Sequence, residues 1–239
     1  SGGDGELINY TTTHLTSTPS SSLKELFIKD VDMVDDVFGV EPSSHNNNNI
    51  VLLFPNLKRV KVRGCMRLQS FAPSFMSFPN LKTLQVSTCH GLRYLLSSST
   101  ATTLVQLQRM VITDCDEMKE IIINHNGNEE EEEEKDSLIV FQNLKQLELQ
   151  NLPSLQSFYS GNKVILSFPN LEELYIYRCC RMGRFSDGIV NTSASLLNTI
   201  KVDEEIIPVE RDDVNATLAK HFNLGLPHLF SHQMRNSLY

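Results

Sequence analysis

The 239-residue sequence has no tryptophan, so aromatic packing and any aromatic anchor fall to phenylalanine and tyrosine. It has no apolar run near the ~18 residues that a membrane-spanning helix needs, which argues against a membrane span. No signal peptide and no initiator methionine open it. The start, SGGDGELINY, reads as a cut piece of something longer. It carries no GxxxxGK(S/T) loop to cradle a nucleotide and no GxSxG elbow to present a nucleophile. The seven histidines are scattered, and none pairs with a nucleophile at a motif spacing. The five cysteines form no Cys-x-x-Cys pair, so a zinc site is not expected. Excess positive charge is missing too. The net charge is -8, most of it in one run of glutamates from Glu129 to Glu134, which argues against a nucleic-acid binder. The chain is expected to be no enzyme, with no catalytic, cofactor-binding or metal-ligating residues.

What the chain has is a phrase written several times. FPNLKRVKVRGC starts at Phe54, FPNLKTLQVSTC at Phe78 and FPNLEELYIYRC at Phe168. Counting from the leucine of NLK, apolar residues fall at positions one, four and six. A cysteine or aliphatic follows at nine, and more apolar residues at twelve and fifteen. Leu57, Leu81, Leu107, Leu144 and Leu171 each open a full copy. Leu23 opens a looser one and Leu197 a truncated one. This is the leucine-rich-repeat pattern. Alternation at four and six is the period of a strand with one buried face, and the later spacing of three turns corners. One turn cannot bury its apolar side alone, so the turns must stack.

The fold expected is therefore an α/β leucine-rich-repeat solenoid, or horseshoe. A parallel sheet lines its concave face, and irregular loops or short helical turns line the convex face. Residues 1–20 read as a linker or incomplete cap. Residues 21–203 hold about seven repeats, with polar insertions near 41–50 and 124–136. Residues 204–239 read as a capping helix and tail, with Asp212 or Asp213 as N-cap and Val214, Leu218 and Phe222 on one face.

Positions three, five and seven of each strand are free of the core. There Arg59, Lys61 and Arg63 make a basic patch that Arg109 extends. Glu148 lies in a largely neutral middle, and Tyr175 and Tyr177 make an aromatic patch. Aromatic and arginine side chains anchor protein interfaces, so these residues are the candidate protein-binding site. The run Glu129, Glu130, Glu131, Glu132, Glu133 and Glu134 is either a solvated loop or a regulatory segment that docks on a basic surface. Cys65, Cys89, Cys115 and Cys179 share position nine. They are expected as free buried thiols bonded to the backbone of the next turn, which implies a reducing compartment. The sequons at Asn9, Asn191 and Asn215 would matter only in a secreted protein.

FPNLKRVKVRGCMRLQSF, LVQLQRMVITDCDEMKEII and FPNLEELYIYRCCRMGRF resemble the irregular C-terminal repeats of plant intracellular immune receptors. These are the coiled-coil, nucleotide-binding, leucine-rich-repeat disease-resistance proteins. The tail VERDDVNATLAKHF, with Asp213, Asn215 and Thr217, is similar to the ending of such chains. The resemblance implies a cytoplasmic or nucleo-cytoplasmic recognition module. It would sense a pathogen effector or a guarded host protein and restrain a nucleotide switch upstream. ADP or ATP would belong to that upstream domain, and no cofactor to this stretch. The alternative is the substrate-binding repeat domain of an F-box ubiquitin ligase receptor. MRLQSF, HGLRYL and DEMKEI after the cysteines favour the first, since F-box repeats commonly continue I-T-D-x-G-L. A secreted ectodomain would show N-x-x-G-x-I-P after the strand.

Overall fold

The computed structural model describes residues 7–10, 22–31, 54–72, 76–123, 137–161 and 163–222. Both insertions, the run from Glu129 to Glu134 and the tail after 222 lie outside the described residues. In chain order the strands are β1 (Leu7–Tyr10), β2 (Glu25–Lys29), β3 (Arg59–Arg63), β4 (Thr83–Ser87) and β5 (Tyr94–Ser97). Then come β6 (Arg109–Thr113), β7 (Glu120–Ile123), β8 (Ser137–Val140), β9 (Gln146–Gln150) and β10 (Ser157–Tyr159). The last are β11 (Val164–Phe168), β12 (Glu173–Tyr177), β13 (Ile189–Thr192), β14 (Thr199–Val202) and β15 (Glu205–Pro208).

Nine of them form one sheet in the order β1-β2-β3-β4-β6-β9-β12-β14-β15. Every pair is parallel except the closing β14–β15 hairpin. The strand β1 falls within the stretch read as a linker. Its register, Leu7 opposite Glu25 to Tyr10 opposite Ile28, makes it one more strand of the sheet.

The other sides of the coil differ from the expectation of loops and helical turns. Two three-stranded parallel sheets line them, β10-β7-β5 and β13-β11-β8. Among the described residues helix is scarce: α1 (Ser98–Ala101), a 3-10 turn at Glu210–Asp212, and a helix over residues 214–222. The balance is parallel β rather than α/β. The reason is length. An ordinary turn has about 26 residues to pass three corners, and segments of four or five residues between corners suit strands but are too short for a stable helix.

Stacking in register carries each repeat position into a row. Positions one, four and six are buried in every turn, as in Leu144, Leu147 and Leu149. Full burial of such a side chain stabilises by roughly 1.5–3 kcal/mol. The asparagine of FPNL, or of FQNL at residues 141–144, is structural as well. Asn80 donates from Nδ2 to the Pro55 carbonyl, Asn143 to that of Val105 and Asn170 to that of Gln142, each at 2.7 Å. Each thus ties its turn to the one before, at a corner where the backbone carbonyl has no strand partner.

After β2, β3, β4, β6, β9, β12 and β14, the repeat strands of the main sheet, the backbone takes a left-handed residue. These are Asp30, Gly64, Thr88, Asp114, Asn151, Arg178 and Asp203, with φ between 50° and 69°. Asp, Asn and Gly tolerate this conformation best. At Gly64 a Cβ would also stand 2.1 Å from the Asp30 carboxylate. The bend lets amides reach the following turn: Asp30 N–H donates to Arg63 O, Thr88 N–H to Thr113 O and Asn151 N–H to Tyr177 O.

The 214–222 helix closes the last turn. Of the two aspartates considered, Asp213 is the N-cap, accepting from Ala216 N–H at 2.9 Å. Val214 and Leu218 are buried in the core, and Phe222 packs against it. Asn215 holds the helix in place. Its Oδ1 accepts from Ser186 N–H at 2.8 Å, and its Nδ2 donates to Gly188 O at 2.9 Å. Thr217 completes the motif, accepting from Glu210 N–H and donating to Asp213 O. Asn215→Ala is expected to destabilise by about 1–3 kcal/mol, because it strands a backbone donor and an acceptor. Urea unfolding measures it, and a loss below about 0.5 kcal/mol would show that the amide is not what docks the helix.

Candidate protein-interaction face

On the side of the nine-stranded sheet away from the core, the register lines positions three, five and seven into three rows. The first runs Glu25, Arg59, Thr83, Arg109, Gln146, Glu173. The second runs Phe27, Lys61, Gln85, Val111, Glu148, Tyr175 and continues to Lys201 and Ile206. The third runs Lys29, Arg63, Ser87, Thr113, Gln150, Tyr177. All the strand residues singled out in the sequence stand on this one face.

Their pairings divide them. Arg59 is in ion-pair contact with Glu25 at 2.8 Å, and the Lys61 ammonium lies 5.6 Å from the centre of the Phe27 ring. Arg63 is exposed and has no ion-pair partner among the described residues. Arg109 does not extend this patch. β4, with its neutral Thr83, Gln85 and Ser87, lies between β3 and β6. The Arg109 guanidinium turns the other way, donating from Nε to Gln146 Oε1 at 2.7 Å and standing 3.5 Å from the Glu148 carboxylate. The physical reason is charge: β9 on one side offers the Glu148 carboxylate, whereas the outward residues of β4 on the other side offer no anion.

Tyr175 and Tyr177 point the same way from β12, as alternate residues of a strand must. Their rings are stacked in near-parallel planes, 9° apart with centroids 6.1 Å apart. The Arg178 guanidinium lies 5.1 Å from the Tyr177 ring centre. Tyr175 is half-buried, and its phenol is held above its usual pKa. Loss of solvent is the main cause, followed by the nearby Tyr177, Glu148, Asp203 and Glu204.

Ile206 was not singled out in the sequence. It is 66% exposed and sits opposite Lys201 at the sheet edge, next to the tyrosines' end of the face. It lies beyond the last repeat, so position counting could not reach it. The only signal was an apolar pair inside DEEIIPVE.

The thiols take no part in this face. All five cysteines are free, and only Cys180 is exposed. The position-nine thiols are free and buried as expected, and Cys65, Cys89 and Cys115 touch from turn to turn, but the backbone they bond is not that of the next turn. Cys65, Cys89 and Cys115 donate to carbonyls of their own turn, Arg63 O, Ser87 O and Thr113 O. The left-handed residue between turns that carbonyl under the sulfur. Cys179 also reaches Leu149 O in the preceding turn, 3.7 Å away. Their acidity is suppressed. Cys89 is pushed up to about 12 by its contact with the Cys115 thiol, with burial adding to it. Cys179 is pushed up to about 12 by burial. Cys65 is raised further still by the Cys89 thiol and burial.

Among the described residues no group of His, Cys, Asp and Glu is placed to hold a metal ion, and no helix is long and apolar enough to cross a membrane. Comparison with known proteins places this geometry. The family model for plant disease resistance protein RPS2-like leucine-rich repeats matches residues 19–116 and 72–205. A probable disease resistance protein of Arabidopsis thaliana is 31% identical over 138 residues. That match covers 57% of this chain and 14% of the Arabidopsis protein, so the chain spans a small part of its relative's length. No solved structure matches.

Proposed function

Because this chain belongs to the RPS2-like leucine-rich repeats of plant disease resistance proteins, we propose that it is a non-catalytic module that recognises another protein through the open face of its nine-stranded sheet. The partner is a pathogen effector or a guarded host protein met in the cytoplasm. In the longer receptor the same module restrains the nucleotide switch. The repeats over 21–203 present the face on the concave side of a horseshoe, and residues 204–239 cap it.

The observation that carries this reading is the stacked pair Tyr175 and Tyr177. The core uses the other side of β12, through Leu174 and Ile176. Two aromatic rings held parallel on an open sheet do nothing for the fold that smaller polar side chains would not do. They are the rigid, amphipathic type of anchor on which protein interfaces rely. Arg63 at the other end is a second anchor of the same kind.

Replacing Tyr175 and Tyr177 together by alanine is expected to abolish recovery of the partner from plant extract, with the thermal unfolding midpoint little changed. The same double change in the longer receptor should remove the partner-dependent response. Undiminished recovery with the double variant would sink the assignment.

A further inference from the structure

The open face is electrically polar along its length. At one end Lys29, Arg59, Lys61 and Arg63 face Glu25 and Asp30. Lys29 is paired with Asp30 at 3.5 Å and Arg59 with Glu25, which leaves Lys61 and Arg63 as the charge that a visitor meets. At the other end the groups around the tyrosines are Glu148, Glu173, Asp203 and Glu204, with Arg178, Lys201 and Arg109, which stands 3.5 Å from Glu148, as the cations, so the carboxylates outnumber them by one. Arg178 is engaged on the outer ring, Tyr177, and among the described residues no cation lies over Tyr175. Between the ends, Thr83, Gln85, Ser87, Val111 and Thr113 carry no charge.

From this charge complementarity we propose that the partner segment crosses the strands in one fixed orientation, setting carboxylates on Lys61 and Arg63 and an arginine on Tyr175 beside Glu173. The inference rests on the reading that this face recognises protein, and it names what the recognised surface must carry. The chain shows the arginine contact in its own structure, since Arg178 already lies over Tyr177, and guanidinium groups are the preferred partners of tyrosine faces. β3 and β12 are four strand spacings apart, which at ~4.8 Å each sets the two contacts about 19 Å from one another. A partner with the right charges at the wrong separation would satisfy one end only.

The test uses synthetic peptides on the isotopically labelled 239-residue chain, read by amide chemical shifts. The probe carries two aspartates and two arginines separated by about six Gly and Ser residues, a span of roughly 20 Å when extended. A short-spacer peptide separates the same groups by two residues. The long peptide is expected to shift amides of both β3 and β12 and to bind at least about tenfold more tightly than the short one, as bivalent contact requires. Tyr175→Ala, or Glu173→Gln should the first variant unfold, should remove the β12 shifts and leave those of β3. Arg63→Gln should do the reverse. Equal affinity for both spacers, or β12 shifts that survive both variants, would overturn the inference and leave recognition through the face standing. Shifts confined to residues off the open face would overturn both.

Discussion

Phe158→Ala is expected to lower the stability of the domain by about 3–5 kcal/mol, the usual range for emptying a fully buried aromatic site. Phe158 has no solvent exposure. It stacks on Phe185, 8° from parallel with centroids 4.8 Å apart, and meets Phe141 and Phe168 edge-on at 6.1 and 5.8 Å. Phe141 and Phe168 in turn stack at 5.2 Å. The four rings come from two repeat positions in neighbouring turns, so they join the turns as well as filling them. Edge-to-face and offset-stacked pairs add about 0.5–1.5 kcal/mol beyond area burial. The backbone beside the surrounding rings is tied between turns, Phe141 N–H to Ser167 O and Phe158 N–H to Phe185 O, which limits their collapse into the space. Phe158→Leu should lose less than half as much, because most of the volume is kept. Urea unfolding followed by circular dichroism reads both. A loss under 1 kcal/mol for the alanine variant would mean that the turns slide to fill the gap.

The second large effect is a loss of stability in alkali. A thiol with an ordinary pKa of 9.0 that is held at about 12 in the fold keeps a proton which the unfolded chain releases. The folded value is raised, so the contribution is complete below pH 9 and is lost as pH rises toward 12. Each such thiol gives a slope of about 1.4 kcal/mol per pH unit in that window. Cys89 and Cys179 together therefore account for about 5 kcal/mol between pH 9 and 11, on the order of the whole stability of many domains. Other groups titrate there as well, so the comparison is with Cys89→Ala and Cys179→Ala. The double variant starts less stable at pH 7 and should show a slope shallower by about 2–3 kcal/mol per pH unit. Parallel curves for the two proteins would show that the thiols ionise freely in the fold.

The strands of the main sheet were legible in the sequence because their signal is doubled: period-two alternation within a copy, and repetition of the copy. The outward residues followed at once, since alternation assigns a side to every position. The rest depended on backbone facts that residue types encode weakly. The left-handed position after each repeat strand of the main sheet is filled by Asp, Gly, Thr, Asn and Arg in different turns, too mixed to read as one requirement. That bend decides where the position-nine thiols bond, so their partners were misassigned with it. The six short strands on the other sides were taken for loops or helical turns, because a spacing of three fits both a corner and a helix. Arg109 was placed on the right face but given the wrong neighbours. Which way a long side chain leans depends on the acceptors beside it, and those lie in another copy. The closing element was readable in outline from its Val, Leu and Phe spacing, but the docking role of Asn215 needed Ser186 and Gly188 brought beside it from 29 and 27 residues away.

Strand-to-strand register, unbroken from Glu25 to Glu173, gives the open face a property that globular surfaces lack. The distance between any two of its strands is a whole number of strand spacings. Duplication or loss of one genomic repeat unit would leave every contact within the remaining turns intact and move the arginine end relative to the tyrosine end by one step of about 4.8 Å. Under the recognition proposed for this face, specificity would change in jumps, like a ruler gaining or losing a division, without any residue of either proposed anchor being altered.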